Sequence, residues 1–178
     1  MATPILFTER LHLRAFEKSD FEELLALHSN ASVNRHLIPE APHWSKDRVR
    51  DMLDMYLTDE KQLGFSQWRI ETREQRFVGR AGFSLLEETA EVKLDCVLKE
   101  PLWGLGLGGE VCKALVNWFF ENTYYSHLVA EVHPQNRAAL SILGSVGMEY
   151  RERRFESGQV RDYFQVLSPS CRRLAHSA

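Results

Sequence analysis

The chain has 178 residues, 44% of them hydrophobic, which is enough to bury a core without disulfides or metal. Its 22 lysines and arginines against 25 acidic residues give a net charge of −3, which excludes the broad basic field of a nucleic-acid-binding protein. Three widely spaced cysteines without a CxxC or Cys/His cluster exclude a disulfide scaffold and a zinc site, and no apolar run reaches membrane-span length; the reading is one cytoplasmic domain, residues 1–178, with no metal and no membrane partner.

LHLRAF (11–16) alternates as a strand with Leu11 and Leu13 on one face. In SDFEELLALHS, Ser19 or Asp20 caps a helix whose Phe21, Leu24, Leu25 and His28 form a stripe. LIPEAPHW is rich in turn residues, and Ser45 then opens a helix carrying Val49, Met52, Leu53, Tyr56 and Leu57. GFSQWRIE (64–71) and RFVGRAGFSL (76–85) read as a hairpin across TREQ, and EVKLDCVL (91–98) as a fourth strand. A helix over 109–122, a strand over 126–132 and a helix over 135–146 follow. Strands EYRERRF and VRDYFQVL, turning at Ser157-Gly158, end the pattern. The order predicts an α+β fold, a mixed and mostly antiparallel seven-stranded sheet with one parallel crossover through the 109–122 helix.

PLWGLGLGG (101–109) places Gly104, Gly106, Gly108 and Gly109, four of the ten glycines, within six positions. Glycine is entropically costly, so such a cluster serves a turn or a close backbone approach. A glycine loop entering a helix suits phosphate, because the bare first-turn N–H groups and the helix dipole both favour an anion. A flexible surface loop is the alternative. Gly104-x-Gly106-x-x-Gly109 also matches the dinucleotide fingerprint GxGxxG, with Glu131 about twenty residues on as a ribose-binding acid. The context opposes that match: Lys99 to Trp103 separate the loop from its strand, and too few residues follow Glu131 to complete a doubly wound sheet.

TERLHLR (8–14), VKLDCVLKEPLWGLGLGGE (92–110) and HPQNRAALSILGSVGMEYRE (133–152) together resemble the GCN5-related N-acetyltransferase (GNAT) superfamily, in particular its RimJ/RimL-like branch of ribosomal-protein N-terminal acetyltransferases. The family loop reads Q/R-x-x-G-x-G/A; here Trp103 takes the first place and Gly106 and Gly108 the glycine places. The resemblance implies helices on both faces of a sheet whose middle strands splay apart. It also implies acetyl-CoA as co-substrate, its diphosphate held by main-chain N–H groups of Leu105, Gly106, Leu107, Gly108 and Gly109, with Trp103 and Gly104 completing the cofactor loop. A side chain at Gly106 or Gly108 would push the phosphate away. The pantetheine arm would pair with the edge of the strand at Cys96, Val97 and Leu98, as a peptide adds to a sheet. Asn136 matches the family asparagine that bonds the cofactor arm, and it would equally cap a helix; Arg137 would meet a cofactor phosphate.

Transfer of an acetyl group to an amine requires loss of a proton from an ammonium of pKa about 8 to 10 before it can attack. The thioester oxygen needs a fixed donor, which the backbone N–H near Val97 would supply. The resemblance points to Glu131 as the base, acting through a water, with Asp95 as its rival and His133 third. Alternation sets Asp95 opposite Leu94 and Cys96, so that only one of these sets would face the cleft. The family's thiol acid is missing: Leu143 and Ala139 stand at its two usual places, and Ser141 and Tyr150 do not fit the register. Leu105 and Ser145 replace usual basic residues, and Cys96, without a histidine partner, reads as a buried thiol rather than a covalent group. The leading function is an N-acetyltransferase acting on a protein N-terminus or a small-molecule amine by direct attack. The alternative is a CoA-binding sensor or interaction module that has lost catalysis. The acceptor pocket falls around residues 21–37 and 154–163, and a homodimer is an expectation that the resemblance brings.

Overall fold

The structure is a computed structural model that describes residues 3–37, 41–156 and 158–175. Part of the LIPEAPHW passage and Ser157 of the expected last turn lie outside the described residues. The strands are β1 (Pro4–Phe7), β2 (Leu11–Ala15), β3 (Gln67–Thr72), β4 (Phe77–Leu86), β5 (Glu91–Leu98), β6 (His127–Val132), β7 (Glu149–Glu156) and β8 (Gln159–Leu167). The helices are α1 (Phe21–His28), α2 (Ala31–Asn34), α3 (Lys46–Leu63), α4 (Leu107–Asn122), α5 (Arg137–Ser145) and α6 (Pro169–Ala175). One mixed sheet runs β1-β2-β3-β4-β5-β6-β8-β7, antiparallel throughout except for the parallel β5–β6 pair. The sheet therefore has eight strands, not seven. The missed strand is four residues long, opens on a proline and occupies an edge, where neither alternation nor a lost N–H carries a signal.

Alternation along the central strands builds two different faces. Leu11, Leu13, Trp68, Ile70, Ala81, Phe83, Val92 and Leu94 point to one side and pack against Val111, Leu115 and Phe119 of α4. These α4 residues recur at helical spacing and are fully buried, which holds α4 along the sheet. On the other side, Phe77 and Val97 meet Leu24, Leu27, Val33, Val49, Leu53 and Tyr56 from α1, α2 and α3. Ser45 caps α3 by accepting from the Arg48 amide, as its sequence position predicts. Asp20 does not cap α1: its carboxylate accepts instead from both terminal nitrogens of Arg14, at 2.9 Å each. Among the described residues no helix is long and apolar enough to cross a membrane.

β5 and β6 share a single register pair, Lys93 with Val129. Beyond it the two strands part, leaving a gap in the middle of the sheet that α4 and α5 approach from one side and α2 from the other.

Candidate active site

The glycine loop forms the floor of the gap. A short 3₁₀ turn, Glu100–Leu102, ends β5, and the Trp103 indole N–H donates to the Leu98 carbonyl at 2.9 Å, fixing the loop to the strand end. Gly104 and Gly106 take φ of 76° and 77°, the left-handed region where a side chain is strained. The first bond of the helix runs from the Glu110 amide to the Gly106 carbonyl. Among the described residues, no hydrogen bond engages the amides from 104 to 109.

Two residues brace this loop that the sequence reading had quoted without a role. Glu110 accepts from the Thr8 hydroxyl at 2.5 Å, from the Arg10 amide at 2.8 Å and from Arg10 Nε at 2.7 Å. Arg10 Nη1 also donates to the Leu105 carbonyl at 2.9 Å. The β1–β2 turn thus clamps the first helical turn and sets a guanidinium beside the loop. A Cβ at Gly108 would lie 2.8 Å from Ile142 Cδ1 of α5, the end of a flexible side chain that would have to shift. Gly109 faces open space.

A cleft of about 620 Å³ runs from the loop through the gap. Of the residues the sequence singled out, Asp95, Cys96, Val97, Leu98, Trp103, Gly104, Gly106, Gly108, Gly109, Glu131, Asn136 and Arg137 line it. Leu105 and Leu107 do not: Leu105 points to solvent and Leu107 into the core, so these two offer only their amides. The expectation that Asp95 and Cys96 could not both face the cleft is corrected. The gap passes through the sheet, and residues from both faces of β5 line it. The Lys99 amide bonds the Val78 carbonyl of β4, so by alternation the Val97 amide also turns to β4 while those of Cys96 and Leu98 turn to the gap. Asn136 caps α5, its side-chain oxygen accepting from the Ala139 amide at 3.1 Å, which leaves its NH₂ toward the cleft that it lines.

On the α1–α3 face, Lys93 Nζ lies 3.7 Å from an oxygen of Asp95 and 3.7 Å from one of Glu131. Ser32 and His36 of the α2 segment also line the cleft; they fall within the 21–37 range expected for the acceptor pocket, although nothing in their local sequence singles them out. The His36 and His133 rings lie 5.4 Å apart. Burial, then the charges of His133, Arg35 and Arg161, hold the His36 imidazole below its ordinary value, hence neutral. Arg161 donates to the His36 carbonyl at 2.6 Å and to that of Leu37, tying the end of α2 to β8. The Tyr163 hydroxyl donates to Glu91 at 2.6 Å, and burial together with that carboxylate raises the phenol well above its usual range.

Behind the site, a buried ionic cluster joins β2, β3 and the start of α1. Arg14 reaches Asp20 and Glu71, Arg69 reaches Glu71, Glu23 and Asp20, and His12 meets Glu71 at 3.0 Å. Burial alone would raise Asp20, but the bonds from Arg14 and the Glu17 amide outweigh it and hold the carboxyl below its ordinary value. Glu71 lies below its own for the same reason, through Arg69 and Arg14. His28 is fully buried, stacked 4.0 Å from the Trp44 ring, and accepts at Nε2 from Arg80. Burial and then the Arg80 charge push it down to about 3, so it is neutral.

The family described as an acetyltransferase (GNAT) domain matches residues 10–149. An uncharacterized N-acetyltransferase, p20 of Bacillus licheniformis, is 25% identical over 160 residues, 89% of this chain and 86% of that protein. Among solved structures, the ribosomal L7/L12 α-N-protein acetyltransferase RimL in complex with coenzyme A superposes with a TM-score of 0.79 at 14% identity, covering 93% of this chain and 98% of that one. Spermidine N-acetyltransferase of Vibrio cholerae, in complex with CoA and spermine, does so with a TM-score of 0.75 at 15% identity, over 89% of this chain and 96% of that one.

Proposed function

The chain belongs to the GNAT acetyltransferase family, whose members use acetyl-CoA, and from that premise we propose that it acetylates a primary amine, a protein N-terminus or a small-molecule amine, by direct attack in a ternary complex. One observation carries the reading: a run of unengaged amides, 104 to 109, stands at the mouth of a cleft that passes between two parted strands. In this reading residues 1–178 act as one acetyltransferase domain.

The amides of this run, at the positive end of the α4 dipole, hold the diphosphate, with the Arg10 guanidinium adding charge beside them. The Cys96 and Leu98 amides, turned to the gap, offer an edge to the pantetheine arm, and one of them meets the charge that grows on the thioester oxygen. Asn136 keeps an NH₂ for the arm while its oxygen caps α5. Glu131, partly open to solvent, takes the amine proton through a water, with Asp95 on the opposite lip as the alternative base. Within the family we read the chain as RimJ/RimL-like on its three quoted segments. Proteins of the same fold and similar identity act on a ribosomal protein and on spermidine, so the fold leaves the acceptor at the level of a primary amine.

The test is release of free CoA from acetyl-CoA across N-terminal peptides, polyamines and small amines. Turnover on at least one is expected. Tight acetyl-CoA binding with no turnover on any would favour the module that has lost catalysis, and absence of acetyl-CoA binding would remove the phosphate cradle.

A further inference from the structure

We propose that Lys93 is a specificity-determining residue: its ammonium offsets one of the two carboxylates of Asp95 and Glu131 and so reserves the acceptor site for singly charged amines over multiply charged ones. The inference rests on reading those carboxylates as the groups that receive the amine.

Lys93 occupies the one register pair that joins β5 to β6, so it marks the apex of the gap. Asp95 stands on one lip and Glu131 on the other, each 3.7 Å from the Lys93 nitrogen. Neither carboxylate makes a hydrogen bond to any described residue, and both are partly exposed, with side chains 27% and 20% accessible. Their charge is thus open to an incoming cation, and Lys93 is the ion already seated between them.

Several other charged groups near the gap are engaged elsewhere. Glu91 accepts from Tyr163 and pairs with His127 Nε2 at 3.0 Å. The Arg154 guanidinium lies 3.7 Å over the Tyr163 ring, and Arg161 binds the carbonyls of α2. His36 at the mouth is neutral. Two carboxylates and one ammonium leave a single negative charge for the acceptor. A first ammonium is attracted by that net charge, whereas a second finds no free carboxylate and is repelled by Lys93.

The probes are n-butylamine and 1,4-diaminobutane, matched in carbon chain and differing in one charge. Their dissociation constants are measured by calorimetry at low ionic strength with CoA bound. In Lys93→Met the diamine should gain on the monoamine by about tenfold, equivalent to about 1.4 kcal/mol. Lys93→Arg should keep the wild-type ratio, and Asp95→Asn should move it the opposite way. Because Asp95→Asn retains Lys93, it reports even if Lys93→Met does not fold. A ratio unchanged in Lys93→Met or in Asp95→Asn overturns the proposal, as does an equal shift in Lys93→Arg or the absence of saturable binding of either amine. Wild-type turnover in Glu131→Gln would instead strike the base reading alone, since the affinity ratios do not depend on catalysis.

Discussion

The two faces of the sheet are made from the same strands and have opposite interiors. Against α4 the strands present Trp68, Ile70, Phe83 and Leu94, an apolar surface of interlocking rings in which Trp68 meets Trp118 edge-on at 4.7 Å. Against α1 and α3 they present Gln67, Arg69, Glu71 and Arg80, all buried and all ion-paired or hydrogen-bonded, beside the apolar Phe77 and Val97. The apolar face orients one helix so that its N-terminus meets the gap, and burial alone suffices for that. Attaching helices through buried ions is a weaker route to stability, since desolvation offsets most of the Coulombic gain. The charged face lies on the side of Glu131 and Asp95, where the acceptor is expected, and it fixes the strand ends and α1 in one geometry.

Substitutions on each face test this division. The largest effect is expected at Glu131. Glu131→Gln should lower kcat by about 10²- to 10⁴-fold near neutral pH, with partial recovery at high pH as more acceptor is free amine. Wild-type rates across the pH range would remove Glu131 from the chemistry. Next, Asp20→Ala removes a carboxylate shared by Arg14 and Arg69 and leaves the buried cluster with two guanidiniums on Glu71, which should cost about 3–5 kcal/mol in urea unfolding while acetyl-CoA affinity holds. A loss below about 1 kcal/mol would make the cluster equivalent to surface pairs. The same region sets the acid limb. Asp20 and Glu71 lie below their ordinary values, so their contribution is present above about pH 4.5 and is lost as pH falls through their lower folded values. His28, depressed to about 3, binds its proton more readily in the unfolded chain. His28 should therefore lower stability by about 1.4 kcal/mol per pH unit below about pH 6.5, levelling off near pH 3, and His28→Gln should remove that share of the slope.

Smaller effects are expected on the apolar side. Gly109 faces open space, so Gly109→Glu should leave the melting temperature unchanged and weaken acetyl-CoA by about ten- to a hundredfold through a carboxylate at the helix N-terminus. Equal affinity would show that the diphosphate lies elsewhere. Smallest is Asn136→Ser, which keeps a capping oxygen but loses the NH₂. Stability should change by only a few tenths of a kcal/mol and acetyl-CoA binding should fall, whereas Asn136→Ala should cost about 1 kcal/mol as well. Unchanged binding in the serine variant would leave Asn136 as a cap alone.

What could be read from the chain follows the same division. The loop was legible because its chemistry is backbone chemistry, and four glycines in six positions leave a local mark. The strands from Leu11 onward and the long helices were legible from alternation and helical spacing, while Pro4–Phe7 was too short to show either. The acceptor side was not legible. Asp20 looks like a cap in its own segment and turns out to serve Arg14; Arg10 reaches Glu110 across a hundred positions. Lys93, Asp95 and Glu131 meet only because two strands distant in the chain lie side by side. Gly108, matched to a phosphate role by the loop pattern, lines the cleft and also lies against the Ile142 side chain, a contact that its own segment does not announce.

The lone Lys93–Val129 pair makes the sheet two plates sharing one rivet, five strands on one and three on the other. Asp95 rides on the larger plate and Glu131 on the smaller, so the distance between these two carboxylates follows how far the strands part, with Lys93 between them.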